Sequence, residues 1–200
     1  PLGMGFIHRN DWKSARKVLV LSLFLFVALF ARSQGNYMLD RLSELPGVTV
    51  TEIGNPQFPA GYFILSIPQL VNHEDSASGT FSHRVFLGIR AIDAPNVLVM
   101  DGYGVDYAAK PDYQHELGKL FQANLIVVEH RFFSKSQLPN ADYRWLTTTQ
   151  AAADVHHVRE LIATILTGKW ISTGTSKGGQ AALAHRMHYP EDVAATVVFG

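Results

Sequence analysis

The pattern of apolar and polar positions divides the chain into an apolar leader, a region of alternating residues, and a region of buried strands separated by helices. The leader is Val18–Ala31, an apolar run interrupted only by Ser22. Alternating or continuous apolar residues then predict three strands, at Val48–Ile53, Gly61–Ile67 and Phe81–Ile92. Because prolines, glycines and short polar segments separate these strands, we expect an antiparallel meander.

From Asn96 onward the chain alternates short apolar strands with helical segments. The predicted strands are Val97–Met100, Leu125–Val128, Lys169–Thr173 and Ala194–Phe199. The predicted helices are Pro111–Phe121, a segment that starts with capping-box spacing at Thr147 and continues to Ile165, and Gln180–Met187. Strands that alternate with helices form a parallel sheet with right-handed crossovers. The sequence therefore predicts an α/β protein.

A serine stands in the turn between the third of these strands and the last helix, in the pattern Gly174-Thr175-Ser176-Lys177-Gly178. A G-x-S-x-G turn holds its serine in a strained conformation, and only glycine fits at the two crowded flanking positions. The first N–H groups of the following helix point to where an oxyanion would form. The pattern makes Ser176 the candidate nucleophile and the Lys177 N–H the first oxyanion donor. A glycine-rich turn without a nucleophile is the alternative.

The order of the strands matches the first six strands of an α/β-hydrolase fold, here incomplete. In that fold the loop after the third strand lies beside the nucleophile and lends a second N–H to the oxyanion hole. That loop is Asp101–Gly104, and the sequence does not choose among Gly102, Tyr103 and Gly104. A simple tight turn at this Gly-x-Gly is the alternative interpretation.

A serine hydroxyl needs a histidine to accept its proton and a carboxylate to orient that histidine. In the α/β-hydrolase fold both residues follow the sixth strand. We therefore expect the acid and the histidine beyond Gly200, together with strands that complete the sheet. The chain alone is predicted to be inactive, and no cofactor is expected.

Composition and charge exclude several classes of function. The chain has 17 basic and 17 acidic residues, so it lacks the basic surface that nucleic-acid binding requires. It has no cysteine, which excludes disulfides, thiolate metal sites and a cysteine nucleophile. His185 and His188 lie three apart on a helix without a third ligand, so no metal site is predicted. His156 and His157 are consecutive and point to different faces of their helix.

The leader has the features of a secretory signal peptide. Basic residues precede an apolar run that is shorter than the ~20 residues of a membrane span, and small residues follow it. We expect cleavage after Ser33 and a secreted or periplasmic protein without stable membrane association; an uncleaved membrane anchor is the alternative. The predicted divisions are a signal peptide at 1–33, a mature lead at 34–47 with a weak helical patch, and the catalytic part at 48–200.

Four linked segments carry a family resemblance. They are Glu129–Phe133, Trp145–Asp154, Gly168–Gly179 and Tyr189–Val193. Together they resemble serine peptidase family thirty-seven, the secreted prolyl tri- and tetrapeptidyl aminopeptidases. The resemblance is dense from Leu125 to Val193 and only general over Gln34–Ile92, and Ser134 stands where the family pattern suggests glycine. It implies a Ser-His-Asp peptidase that releases short peptides from free amino termini, with proline preferred before the cut.

Several residues near the expected site have alternative roles. Glu129 is a candidate for recognising the amino terminus of a substrate, and an ion pair or hydrogen bond with Arg131 is the alternative. Lys177 is expected to keep its ammonium solvated or ion-paired, and Asp154 is expected to be a structural carboxylate. An esterase or lipase on the same fold, or a non-catalytic binding module, are the alternative functions.

Overall fold

The structure, a computed structural model, describes residues 9–200, without the side chains of 9–14 and 28–36. The first eight residues of the predicted signal segment, and the side chains around the predicted cut after Ser33, lie outside this description. Within it, the first helix, α1 (Arg9–Ser43), runs unbroken through position 33. The helix is therefore much longer than the weak helical patch expected in the lead.

The two ends of α1 have different surroundings. Near its carboxyl end, Met38 and Leu42 are buried in the core. The described part of the apolar leader, Val18–Val27, is exposed to solvent. In the part of the chain that is described, no helix combines the length and apolar content needed to cross a membrane.

Seven strands form one sheet. They are β1 (Thr49–Glu52), β2 (Tyr62–Leu70), β3 (Thr80–Gly88), β4 (Asn96–Met100), β5 (Asn124–Val128), β6 (Trp170–Thr175) and β7 (Ala195–Phe199). Their order is β1-β2-β3-β5-β4-β6-β7. The first three strands pair antiparallel, β3 pairs antiparallel with β5, and β5, β4, β6 and β7 are parallel. The predicted meander and the predicted parallel region are both confirmed.

In the described residues three further α-helices accompany the sheet: α2 (Glu116–Leu120), α3 (Thr148–Ala163) and α4 (Lys177–His188). Helix α3 begins as predicted, because the Thr147 side chain accepts the Gln150 N–H at 3.2 Å. Helix α2 is shorter than the predicted Pro111–Phe121. The Leu117 N–H donates to the His115 ring at 3.3 Å, and this cap starts the helix only after residue 115.

Strand β3 also ends earlier than the sequence predicts, at Gly88 instead of Ile92. The cause is the side chain of Asn124, whose Oδ1 accepts the N–H groups of Arg90 at 2.7 Å and Ala91 at 3.3 Å. These donors are therefore not available to continue the ladder with a neighbouring strand.

The sheet is covered on both faces, so its central strands are buried throughout. On one face it packs against the end of α1, α3 and α4, through residues such as Leu98, Ile126 and Val158. On the other face a second cluster contains Phe86, Val99 and Val127. Because β4, β5 and β6 are parallel, their carboxyl ends meet at one edge of the sheet, where the candidate site lies.

Candidate active site

Ser176 occupies the turn between β6 and α4. Its backbone has φ 53° and ψ −120°, the left-handed side of conformational space that a non-glycine residue rarely adopts. The residue is exposed, and its side chain makes no capping hydrogen bond to the helix. The Ser176 N–H is held by Phe199 O at 2.9 Å, at the end of β7. The turn thus presents the hydroxyl to solvent at the carboxyl edge of the sheet.

The glycines on either side of Ser176 are required by close backbone packing. A Cβ on Gly174 would overlap the carbonyl group of Gly178. A Cβ on Gly178 would overlap Met100 O at the end of β4 and lie 3.4 Å from Gly102 N. The turn that carries Ser176 is therefore packed directly against the loop that follows β4.

Two hydrogen bonds fix that loop, and one of them bears on which N–H group is the candidate second oxyanion donor. Asp101 Oδ1 accepts the Tyr103 N–H at 3.0 Å, so this N–H is already used inside the loop. Asp101 Oδ2 accepts the Tyr107 hydroxyl at 2.8 Å, and burial, the largest influence, raises the pKa of Tyr107 above its ordinary value. Of the three candidate N–H donors that the sequence offers, those of Gly102 and Gly104 therefore remain.

Position distinguishes these two glycines. Gly102 lies against the nucleophile turn, since a Cβ built on it would be 2.5 Å from Lys177 Cβ. Gly104 faces the other way, and a Cβ built on it would be 3.1 Å from Ser134 Cβ. Within residues 9–200 the Gly102 N–H has no hydrogen-bond acceptor. This geometry favours Gly102 as the partner of the Lys177 N–H.

Glu129, at the end of β5, holds the loops after β4 and β5 together. Its side chain is completely buried and accepts the Val105 N–H at 3.2 Å, the Lys135 N–H at 3.0 Å and the Ser136 hydroxyl at 2.8 Å. Arg84 completes the set as its ion-pair partner. The buried carboxylate thus has the structural role of the alternative interpretation, with Arg84 instead of Arg131 as its ionic partner, and it has no exposed oxygen for the amino terminus of a substrate.

The same network explains the position where the family pattern suggests glycine. Ser134 has φ 41°, a left-handed conformation that glycine adopts most easily. Its hydroxyl donates to Asp106 at 3.1 Å and accepts from Arg84 at 3.1 Å. These bonds accompany the strained backbone of the serine and tie the turn to Glu129 through Arg84.

The Lys177 side chain is partly exposed to solvent, and among residues 9–200 its ammonium forms no ion pair. Its Nζ lies 4.8 Å from the centre of the Tyr103 ring and 4.6 Å from that of Phe133. Burial lowers the pKa of Lys177, while the charge of Asp101 opposes that shift. The ammonium is thus a cation–π partner of two aromatic rings at the rim of the site.

Asp154 has the structural role expected of it. Burial alone would raise the pKa of this carboxyl, but hydrogen bonds from Arg131 and His73 outweigh burial and hold the pKa below its ordinary value. The side chain is 2 % exposed and lies on α3, inside the protein. It is therefore no candidate for the acid of the triad.

The histidines that invited other interpretations have separate partners. His156 bonds to Asp192 at 2.7 Å, and His157 bonds to Gln69 at 2.8 Å, so the two rings diverge as predicted. His185 is buried and also bonds to Asp192, at 2.9 Å. Among residues 9–200 no cluster of three or more histidine, aspartate or glutamate side chains has a metal-binding arrangement. Nor, in the same residues, does any histidine hydrogen-bond to the Ser176 hydroxyl.

Sequence reasoning missed the roles of Arg84 and Asp101. Asp101 had a local signal, because an aspartate two residues before a free N–H commonly accepts that N–H in a turn. Arg84 had none, since it lies in an alternating strand 45 residues from its partner Glu129.

Comparison with known proteins decides the family. A model of the PS-10 peptidase S37 family matches residues 31–200. The chain belongs to this family. It is 32% identical over 160 residues to a prolyl tri/tetrapeptidyl aminopeptidase of Streptomyces mobaraensis, covering 80% of this chain and 33% of that protein. It is 27% identical over 116 residues to a probable serine protease EDA2 of Arabidopsis thaliana, covering 50% of this chain and 24% of that protein. The chain thus spans a third or less of these relatives.

Solved structures show the same fold. Acetyl xylan esterase 1 from Thermoanaerobacterium sp. JW/SL YS485 aligns with a TM-score of 0.54 at 14% identity, covering 84% of this chain and 58% of that one. A structure from a study of two prolyl endopeptidases aligns with a TM-score of 0.51 at 16% identity, covering 72% of this chain and 22% of that one. Together with the sheet order, these likenesses confirm the predicted α/β-hydrolase fold.

Proposed function

We propose that the full-length protein is a serine peptidase that uses Ser176 as its nucleophile. The observation that carries the proposal is the exposed Ser176 hydroxyl, held at φ 53° in a strand-turn-helix of a chain that belongs to a peptidase family. Helix capping does not explain the strained conformation of Ser176, because its side chain makes no capping hydrogen bond.

The reaction follows from the groups that surround the hydroxyl. Ser176 Oγ attacks the carbonyl carbon of a peptide bond while a histidine accepts its proton, and the negative charge collects on the carbonyl oxygen. The Lys177 and Gly102 N–H groups stabilise that charge. The histidine then gives the proton to the leaving amine, which leaves an acyl group on Ser176. In the second half of the reaction the histidine takes a proton from water, the water attacks the acyl carbon, and the proton returns to Ser176 Oγ as the acid product leaves. We place the histidine and its aspartate in the part of the full-length protein that follows Gly200.

The substrate class is proposed from the family relationship. The relative from S. mobaraensis is a prolyl tri/tetrapeptidyl aminopeptidase, and it matches four fifths of this chain. We propose that the present protein likewise removes short peptides from free amino termini and prefers proline before the cut. Glu129 does not receive the substrate's amino terminus in this proposal, because its buried oxygens already accept bonds from Val105, Lys135, Ser136 and Arg84.

We also propose that the protein is secreted or periplasmic and that a signal peptide is removed after Ser33. The described leader side chains, Val18–Val27, are exposed and contribute nothing to the core, whereas Met38 and Leu42 are buried. Expression with the native amino terminus, followed by mass spectrometry of the mature protein, tests this. We expect the first residue to be Gln34; a protein that keeps Val18–Ala31 contradicts it.

Labelling of the full-length protein with a fluorophosphonate tests the catalytic proposal. We expect one modified residue, Ser176, and complete loss of both labelling and peptidase activity in Ser176→Ala. Activity on peptide amides with proline before the cut, and with a free rather than acetylated amino terminus, tests the substrate class. Turnover of esters alone would favour an esterase. A folded full-length protein that is not labelled at all would favour a non-catalytic module.

A further inference from the structure

The side chain of Lys177 crosses from the nucleophile turn to both neighbouring loops. Its stem lies over Gly102: a Cβ built there would be 2.5 Å from Lys177 Cβ, 2.6 Å from Cγ and 2.9 Å from Cδ. Its ammonium then reaches Tyr103, in the loop after β4, and Phe133, in the loop after β5. One side chain at the end of β6 therefore contacts the loops that follow both β4 and β5.

The two aromatic rings form a defined seat for the ammonium. Tyr103 and Phe133 pack edge to face, with centroids 5.3 Å apart and planes at 86°. The backbone links the same loops, because the His130 N–H donates to Tyr103 O at 3.2 Å. Tyr103 is nevertheless 55% exposed, so few other groups hold its ring in place.

We propose that Lys177 is a positioning residue, whose side chain fixes the loop after β4 so that the Gly102 N–H stays aligned with the Lys177 N–H in the oxyanion hole. The inference rests on the proposed function. On the side away from the nucleophile, Glu129 already holds the Val105 N–H of this loop. On the side of Ser176, the Lys177 stem contacts Gly102 and its ammonium contacts Tyr103. The loop that carries the Gly102 N–H is therefore held from both sides, by Glu129 and by Lys177.

The role is distinct from that of the Lys177 backbone, which any residue at position 177 other than proline supplies. An oxyanion donor acts only when it is aligned with the transition state, and loss of one donor lowers kcat by about 10²–10³-fold. If the loop after β4 shifts without unfolding, the Gly102 N–H is misaligned and part of its contribution to kcat is lost. Because substrate binding does not use the oxyanion contact fully, KM should change little.

Three substitutions of Lys177 in the full-length enzyme separate the contribution of its aliphatic stem from that of its charge. Lys177→Ala removes the stem and the charge, and we expect kcat to fall about a hundredfold with KM within about twofold. Lys177→Met keeps most of the stem without the charge, and we expect a fall of about tenfold. Lys177→Arg keeps a cation that stacks on aromatic rings and should restore kcat to within about threefold of the wild type. Lys169→Met, an exposed lysine at the other end of β6, is the matched control and should have wild-type kinetics.

Affinity for a peptide aldehyde or boronate, which forms a tetrahedral adduct on the serine, supplies the readout that a structural role would not move. We expect it to weaken in parallel with kcat across the three variants, while melting temperatures stay near the wild type. A double variant adds a coupling test. Gly102→Ala overlaps the Cβ and the stem of Lys177, so it should cost much less activity in a Lys177→Gly background, which removes all of these atoms, than alone.

The possible results are distinguishable. Wild-type kcat in Lys177→Ala, a rise in KM with unchanged kcat, or simple additivity in the double variant would overturn the positioning role while leaving Ser176 as nucleophile. If Lys177→Ala unfolds, the Lys177→Met and Lys177→Arg variants decide instead. A parallel fall of kcat and inhibitor affinity in these variants supports the positioning role, and unchanged values in Lys177→Met overturn it. Absence of labelling at Ser176 in the wild-type enzyme would instead remove the proposed function itself.

Discussion

Arg131 and Asp154 form a two-point ion pair in the interior of the molecule. Arg131 Nε donates to Oδ2 and Nη2 donates to Oδ1, both at 2.7 Å, and the side chains are 0% and 2% exposed. The remaining guanidinium donors reach backbone oxygens, among them Trp145 O at 2.9 Å. The pair therefore joins the loop after β5 to helix α3, directly beneath the candidate site.

Removal of one charge of this pair should be strongly destabilising. We expect Asp154→Asn to lower the free energy of unfolding of the full-length protein by ~3–5 kcal/mol, because it leaves a buried guanidinium without its counter-charge. Chemical denaturation measures the change. The control is Asp112→Asn on an exposed carboxylate, which should stay within about 0.5 kcal/mol of the wild type. Equal midpoints for the two variants would contradict the structural role of Asp154.

The glycine before the nucleophile is expected to tolerate no side chain. In Gly174→Ala the new Cβ overlaps the Gly178 carbonyl group, which is backbone and cannot rotate away. We expect the elbow to shift and fluorophosphonate labelling of Ser176 to slow by at least about a hundredfold. Gly118→Ala is the matched control, since its Cβ has no neighbour closer than 3.8 Å. Labelling at the wild-type rate in Gly174→Ala would refute the packing argument.

Glu129→Gln separates a structural carboxylate from one that binds substrate. The amide keeps the size of the side chain but weakens the bonds to Val105 and Arg84, so we expect a loss of about 1–3 kcal/mol in stability. We expect kcat to fall equally for substrates with free and with acetylated amino termini. Steady-state kinetics on both substrates test this. A KM increase confined to the free amino termini would show that Glu129 recognises them.

His83 should make the protein sensitive to mild acid. Burial, the largest influence, lowers the pKa of His83 below 6.5, although the charge of Asp154 opposes that shift. Its Nε2 donates to Glu129 O at 2.5 Å, and its Nδ1 accepts from the Gln69 amide at 3.2 Å, so the neutral ring satisfies both contacts. Protonation would place an N–H against another donor.

The direction of the pH effect follows from linkage. Because the folded state binds the His83 proton less tightly than the unfolded state, stability is full above pH ~6.5 and falls as the pH drops below that value. We expect His83→Gln to reduce the slope of unfolding free energy against pH by up to about 1.4 kcal/mol per pH unit between pH 6.5 and 5. His188→Gln, on an exposed ring, should keep the wild-type slope. An unchanged slope in His83→Gln would show that another group carries the acid sensitivity.

The sequence by itself determined the order of the elements and the strand-turn-helix that carries Ser176. Both depend on local rules: apolar periodicity decides which segments are strands, and the packing of Gly174 against Gly178 is short-range. Where a boundary depended on a distant side chain, sequence reasoning failed. Strand β3 ends at Gly88, and the Asn124 side chain, far along the chain, takes the N–H groups of Arg90 and Ala91 just beyond it.

Only the tertiary structure decided which hydrogen-bond partners the groups around Ser176 take. The choice of Gly102 over Tyr103 depends on Asp101 taking one N–H, and the pairing of Glu129 with Arg84 depends on the register of β3 against β5. A carboxylate or an ammonium at a strand end has several partners within reach of its flexible side chain. Which one it takes is settled by burial and by the competing donors that the folded sheet brings to that edge, and neither is written in the local sequence.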